Sequence, residues 1–307
     1  MPYRIITFLA EWDEDEGPII VDAYPKSKKL DLEDITMQIF SSFQTVFGYS
    51  DDVSFDRTNL VLPLKSYKRT AKILLDTYRS KQVRGGRLPF IIAFLVPLKF
   101  VQRELHVYNE IQEKIVDHYS SEKEINLKDF FEEIFAETEH LALNIRNEAE
   151  KHLKQKFYWE SIEKFRESIF LLKLAKNREA IEDTRNKMGS AITKYAKEIL
   201  NSVDKKFKEG NHRQAEKDHR LTVRLAKEIK DEKLTKMYSK KLRSFYIKWI
   251  KELEKEAKPW IKGNKFDEAL DNYQKIQKLT KKSKDEKLIN KYNKKLDKLK
   301  QKLDLNK

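Results

Sequence analysis

Asp13, Asp15 and Gly17 are the first residues whose types and spacing could do chemistry, because alternating carboxylates ahead of a glycine can wrap a hard cation such as calcium. The rest of such a loop is missing: the glycine is displaced, and the twelfth position counted from Asp13 is Tyr24 in place of a bidentate Glu. A solvated hairpin loop accounts for the three residues. The six histidines, His106, His118, His140, His152, His212 and His219, show no H-E-x-x-H or other ligand spacing, and with no cysteine a zinc site has little to be built from. RGGR, residues 84–87, occurs once, as a turn between strands would, whereas RNA-binding segments repeat it. No G-x-x-x-x-G-K-[ST], G-x-G-x-x-G or G-x-S-x-G is present, so phosphate cradling, dinucleotide binding and a nucleophile elbow lack their backbone requirements. The expectation is a chain without catalytic residues, metal ligands or cofactors, which is not an enzyme and takes no small-molecule substrate.

Charge offers a different chemistry. The 307 residues carry 64 Lys+Arg and 50 Asp+Glu, a net +14, but the balance is uneven. Residues 1–140 hold 18 basic and 24 acidic side chains, net −6, which leaves 46 and 26, net +20, for the remainder. Such asymmetry suggests an acidic partner for the second half, although lysine also simply solubilises long helices. The candidate contacts for an anionic partner, a membrane surface or nucleic acid, are Lys281, Lys282, Lys284, Lys294, Lys295 and Lys298. Phe245, Tyr246, Trp249 and Trp260 beside Lys240, Lys241 and Arg243 imitate a base-stacking platform. Their helical spacing makes them core residues instead, and Pro259 is expected to bend the helix that carries them.

The elements that position these residues are set by a repeat. Columns 54 residues apart read Ile134, Met188, Leu242 and Leu296; Leu141, Tyr195, Trp249 and Leu303; and Ala142, Ala196 and Ile250. Ile145, Ile199 and Leu253, then Ala149, Val203 and Ala257, then Leu153, Phe207 and Ile261 follow at three- and four-residue steps, one face of a long first helix. A second helix carries Ser161, Ala215 and Ala269; Phe165, His219 and Tyr273; and Leu171, Leu225 and Leu279. His219 thus occupies an aromatic core column. Gly210 with Asn211 and Gly263 with Asn264 tolerate the left-handed conformation that ends a helix. Each unit is a helical hairpin, and residues 285–303 form a final first helix that caps the array. Asn264, Phe266, Ala269 and Tyr273 resemble the second half of a tetratricopeptide repeat, although the period is 54 instead of 34 and the W-x-x-L-G pattern is absent.

The first part of the chain reads differently. Residues 3–12, YRIITFLAEW, and 19–24 are strands around an acidic loop stopped by Gly17 and Pro18. Asp31 and Asp34 precede a helix with Ile35, Ile39, Phe40, Phe43 and Phe47 on one stripe, ended by Gly48. Residues 59–64 and 69–78 are strands, though AKILLD alone could be helical. PFIIAFLV, residues 89–96, is apolar enough to be buried on both faces. Helices follow over 101–119 and, capped by Asn126, from Leu127 onward. This β-β-α-β-β-β-α-α order resembles the longin, or profilin-like, domain of vesicle-trafficking proteins and their archaeal relatives. The carriers are the opening hairpin YRIITFLAEWDEDEGPIIVDAYP, the amphipathic helix behind it and the hairpin ending in FIIAFLVPL.

The fold expected is therefore an α+β domain over residues 1–138, a five-stranded antiparallel sheet with helices. An all-α, TPR-like helical-hairpin solenoid follows over 127–307, with a helix shared at the boundary. Residues 127–157 hold no Pro or Gly, so that helix is expected to run about 45 Å at 1.5 Å per residue and to join the two rigidly. The longin resemblance implies a platform for a small GTPase or another longin-like domain, hence a protein-protein interaction adaptor. The alternative is a peripheral binder of anionic membrane or nucleic acid. No run of 18 apolar residues and no basic leader before residue 10 are present, so a cytoplasmic location is expected, with possible attachment at a membrane surface.

Overall fold

The computed structural model describes residues 4–13, 15–27, 29–47, 57–79, 86–100, 102–122 and 124–305. Tyr3, Gly48, Arg84, Gly85 and Val101, where a strand start, a helix stop, half of a turn and a helix start are expected, lie outside the described residues. The chain forms two compact units, Met1–Lys151 with Glu163–Thr184, and His152–Ile162 with Arg185–Lys307. An α+β region with a five-stranded antiparallel sheet comes first and an all-α region follows.

Strands β1 (Ile6–Asp13), β2 (Gly17–Tyr24), β3 (Thr58–Leu64), β4 (Arg69–Arg79) and β5 (Arg87–Pro97) pair in the order β2-β1-β5-β4-β3. The β5 run is apolar without alternation because it sits in the middle of the sheet with helices over both faces, so every side chain from Phe90 to Val96 is buried. On one face α1 (Leu32–Phe47) lays Ile35, Ile39, Phe40 and Phe43 onto Phe8, Ile73, Leu75, Ile91 and Leu95. On the other, α2 (Asn109–Glu122) and the 3₁₀ turns before it bring Tyr108 onto Phe94, ring centroids 5.5 Å apart, and Tyr119 onto Phe90 at 5.2 Å. Gln112 of α2 donates to the carbonyls of Lys72 and Ile92 at 3.0 and 3.2 Å, tying helix to sheet. Edge strand β3 alternates between exposed and covered positions and tolerates Pro63, as an edge can.

Two expected helices begin differently. The segment after β5 opens as a 3₁₀ stretch, Gln102–Tyr108, before α2, and the one after Asn126 opens as Leu127–Phe130 before α3 (Phe131–Lys154). Asn126 does cap that turn, accepting from the Lys128 amide. Helix α3 stops short of Phe157 because Lys156 adopts the left-handed conformation, φ 65°, a stop that no glycine or proline announces.

The remaining helices are α4 (Tyr158–Leu174), α5 (Arg178–Lys208), α6 (His212–Glu228), α7 (Glu232–Lys262), α8 (Phe266–Ser283) and α9 (Glu286–Leu305). The starts of α4, α6 and α8 are 54 residues apart, and so are those of α5, α7 and α9. The turns repeat with them. Lys156, Gly210 and Asn264 are left-handed in one column, and Lys176, Lys230 and Lys284 in the other. At each of the first three the next amide reaches back five residues, Phe157 to His152 O, Asn211 to Lys206 O and Lys265 to Trp260 O, which is the Schellman closure of a helix end. Gly263 itself is right-handed at φ −89°, so the left-handed residue in that turn is Asn264 alone. The column Asn177, Asp231 and Asp285 then starts the next helix, each side-chain oxygen accepting from the amide three residues on at 2.8, 2.8 and 3.2 Å.

Within the second unit, Val203, Phe207, Ala215, Phe245, Ile250, Ala257, Ala269, Tyr273, Ile276, Leu296 and Leu299 form one buried cluster. The small residues Ala215 and Ala269 are fully buried, as close helix approach requires. Helix α7 runs on through Pro259. Among the described residues no helix is long and apolar enough to cross a membrane.

Candidate functional site

On α7 the residues Met237, Lys240, Lys241, Ser244 and Lys248 recur at three- and four-residue steps, so they share one stripe of the helix. The stripe is exposed, and it forms one wall of a groove of about 450 Å³. Leu200, Val203 and Asp204 of α5 form the opposite wall, and Phe207 of α5, His219 of α6 and Phe245 close the floor. Apolar columns of the repeat thus supply the floor, while lysines occupy the lip.

The floor is aromatic. Phe207 and Phe245 meet edge-on with centroids 5.5 Å apart, and the His219 ring lies 5.1 Å from Phe245. His219 is only 6% exposed, and its Nδ1 has no hydrogen-bond partner within the described chain. Burial lowers its pKa, reinforced by Lys241 and opposed by Asp204 and Asp218, so a neutral imidazole faces the groove. Lys248 Nζ sits 4.8 Å above the Phe207 ring and 3.8 Å from Asp204, whereas Met237 leaves 41% of its surface in solvent. Three lysines against one aspartate give the lip a net positive charge. Such a groove can take an apolar side chain on its floor and an anionic group at its lip.

The six lysines proposed for an anionic partner do not act alike. Lys282 is paired with Glu216, and Lys295 with Glu254, which also accepts from Tyr292. Lys281 and Lys284 at the end of α8, and Lys294 and Lys298 one turn apart on α9, are exposed. The imitation stacking platform is dispersed: Phe245 and Tyr246 are buried, Trp249 packs on His212 with centroids 5.0 Å apart, and Arg243 pairs with Asp285. Lys240 and Lys241, by contrast, line the groove.

At the loop of Asp13 and Asp15 the chemistry is structural. Asp13 Oδ1 accepts from the amides of Asp15 and Glu16, each at 2.8 Å, which holds its carboxyl below its ordinary pKa and commits it to the hairpin turn that Gly17 closes at φ 82°. Gly86 is left-handed at φ 68° ahead of Arg87, the first residue of β5. Among the described residues no group of three or more His, Asp or Glu is placed to hold a metal.

No family model matches. No curated protein is detectably similar to the chain either, so its own residues carry the functional reading.

The groove was half visible in the sequence. Lys240 and Lys241 stand out beside the aromatic run, but the stripe Met237, Lys240, Ser244 and Lys248 reads as a solvated face until α5 is seen opposite it.

Proposed function

We propose that this chain is a non-enzymatic protein-protein interaction adaptor, with a longin-like platform followed by TPR-like helical repeats. The groove between α5 and α7 takes an acidic segment of a partner protein that carries one large apolar side chain. The observation that carries this reading is the aromatic floor of Phe207 and Phe245 beneath a lip of Lys240, Lys241 and Lys248. A desolvated apolar anchor supplies most of the affinity of such a contact, and the lysines select against basic or neutral segments. For the sheet unit, the strand and helix order supports a small GTPase or a second longin-like domain as partner, by resemblance.

The test is a set of peptides bearing one Leu, Phe or Trp among Asp and Glu, titrated against the full chain at physiological ionic strength. Binding should require the apolar residue and should fall at least about tenfold in Lys240→Glu/Lys241→Glu, the scale of losing two close charge pairs. Binding indifferent to both changes would remove the groove from the reading.

A second reading is peripheral binding to anionic membrane or nucleic acid, favoured by the exposure of Lys281, Lys284, Lys294 and Lys298. It predicts a steep loss of affinity with salt, because each neutralised phosphate releases counterions. Vesicles with and without anionic lipid, and a random duplex, separate the two readings: no preference for either anionic surface at physiological salt eliminates the second.

A further inference from the structure

We propose that the sheet unit carries an anion site for a phosphomonoester, in the concavity where the start of β1, the β2–α1 connection and the β3–β4 turn converge. The concavity measures about 540 Å³ and is lined by Arg4, Lys26, Lys29, Lys68 and Arg69. Five cations gather there, in a part of the chain whose overall charge is −6.

Arg69 is the reason to regard this as a site and not as five surface charges. It is the first residue of β4, paired across to Leu64 of β3 and Pro97 of β5, and the sheet leaves only 6% of it exposed. Burying a guanidinium is unfavourable unless an anion accompanies it. Its Nη1 donates to the backbone carbonyl of Arg4, a neutral acceptor, and no carboxylate of the described chain forms an ion pair with it. Burial alone therefore acts on its pKa, downward. Arg4, Lys26, Lys29 and Lys68 add further charge of the same sign around it, and they too make no ion pair within 4 Å among the described residues. Tyr67, on the same wall, turns its hydroxyl onto Asp34, so that nearby carboxylate is already engaged, also accepting from Gln38 at 2.8 Å. The cations come from three separate segments, and Lys68 is held in the left-handed conformation at φ 53° with its carbonyl fixed by the Leu98 amide at 3.1 Å.

A single carboxylate would leave most of this charge unmatched. A phosphomonoester brings close to two negative charges at neutral pH and three acceptor oxygens, enough to engage a guanidinium fork and two or three ammonium groups together. The same chemistry belongs to a soluble phosphate ester and to a phosphorylated lipid headgroup. The site lies in the sheet unit and is independent of the groove on α5 and α7.

The experiment uses the full chain in two arms. Calorimetric titration with inorganic phosphate, at ionic strength held constant with chloride, reads the soluble form. Co-sedimentation with phosphatidylcholine vesicles, with and without phosphatidylinositol phosphate, reads the headgroup. We expect saturable binding in at least one arm, weakened at least about tenfold by Lys26→Glu/Lys29→Glu and unchanged by Lys255→Glu/Lys258→Glu, exposed residues of α7 outside both concavities, since charge-assisted contacts are lost only in the first. Phosphate binding without vesicle binding assigns a soluble ester, and vesicle binding with the same dependence on Lys26 and Lys29 assigns a headgroup. Binding in neither arm, or binding that survives Lys26→Glu/Lys29→Glu, overturns the proposal. Both variants alter exposed residues, and an unchanged thermal midpoint verifies that the fold is kept.

Discussion

Lys282 of α8 and Glu216 of α6 meet across the second unit, with Lys282 Nζ 2.9 Å from one carboxylate oxygen and 3.2 Å from the other. Tyr246 of α7 donates to the same carboxylate at 2.9 Å and Arg220 pairs with it at 2.8 Å, so one buried acid collects partners from three helices. Burial pushes the Glu216 carboxyl up, but the hydrogen bonds from Lys282 and Tyr246 outweigh it and hold the pKa below the usual value. A carboxyl depressed in the folded state stabilises fully above its unfolded pKa of about 4.3, and that contribution is lost as pH falls through the lower folded value.

Lys282→Met should therefore destabilise the chain at neutral pH by about 1–2 kcal/mol, less than a fully buried pair would because Arg220 and Tyr246 remain and Lys282 is half-exposed. The same substitution should flatten the acid side of the stability curve. Urea midpoints from pH 3 to pH 7 check both. A variant as stable as the parent throughout would make the pair a bystander.

His219 titrates in a different window and with its own sign. Its folded pKa lies below the unfolded value of about 6.5, so the unfolded chain takes up the proton first. Stability should fall as pH drops below that value, by at most about 1.4 kcal/mol per pH unit for one proton, until the folded imidazole also protonates. The groups around it are Asp204 on α5, Asp218 on its own helix and Lys241 on α7. His219→Phe, which places in this column the residue found at Phe165, should remove that component and leave the loss below pH 4.5 to carboxylates such as Glu216. Thermal midpoints at pH 7.5 and 5.5 measure the difference.

The left-handed lysines give a prediction of opposite sign. A non-glycine residue in this conformation costs roughly 1–2 kcal/mol, which glycine avoids at some expense in unfolded-state entropy. Lys230→Gly should raise stability by about 0.5–1 kcal/mol, Lys176→Gly by less because it also removes the ammonium 4.5 Å over the Phe135 ring, and Gly210→Ala should lower it by about 0.5–1 kcal/mol. At Gly210 no atom lies within 4 Å of an added Cβ, so any loss there reports backbone strain alone. Chemical denaturation of the three variants decides. Destabilisation by Lys230→Gly would mean that its side chain does more than the turn requires.

These lysines also mark where sequence reading stops. Burial makes its own pattern, and so Ala215, Ala269, Leu225 and Leu279 placed their helices in register, while the unbroken apolar run ending in Val96 announced the central strand. Turn geometry makes a pattern only when glycine or asparagine carries it. Gly210 and Asn264 were legible, whereas Lys156, Lys176, Lys230 and Lys284 look like any solvated position. The cap column Asn177, Asp231 and Asp285 was available to the same 54-residue comparison but is polar, and a search for apolar columns passes over it. Neither concavity was fully legible, for a related reason. Their charged residues come from segments far apart in the chain, Arg4 with Arg69 in one and Asp204 with Lys241 in the other, and only folding makes them neighbours.

Helix α9 tests whether the apolar face of α8 needs a cover. Tyr292, Leu296 and Leu299 of α9 are 2%, 3% and 5% exposed, in the cluster that holds Tyr273, Ile276 and Leu279 of α8. The Tyr292 hydroxyl donates to Glu254 at 2.8 Å, and Gln277 of α8 donates to Asn293 at 2.9 Å, so polar groups on both sides also depend on the junction. At about 1.5–3 kcal/mol per buried large side chain, the three apolar residues of α9 contribute roughly 5–9 kcal/mol, an upper estimate because the unfolded chain is itself partly compact. Ending the chain after Ser283 also removes Asp285, the cap of α9 and the partner of Arg243. The truncated protein should lose thermal stability and, with the apolar face of α8 uncovered, associate in a concentration-dependent way. Scanning calorimetry with sedimentation velocity reads both. A truncated chain that melts at the parent temperature and sediments as the parent does would show that α9 covers nothing α8 requires.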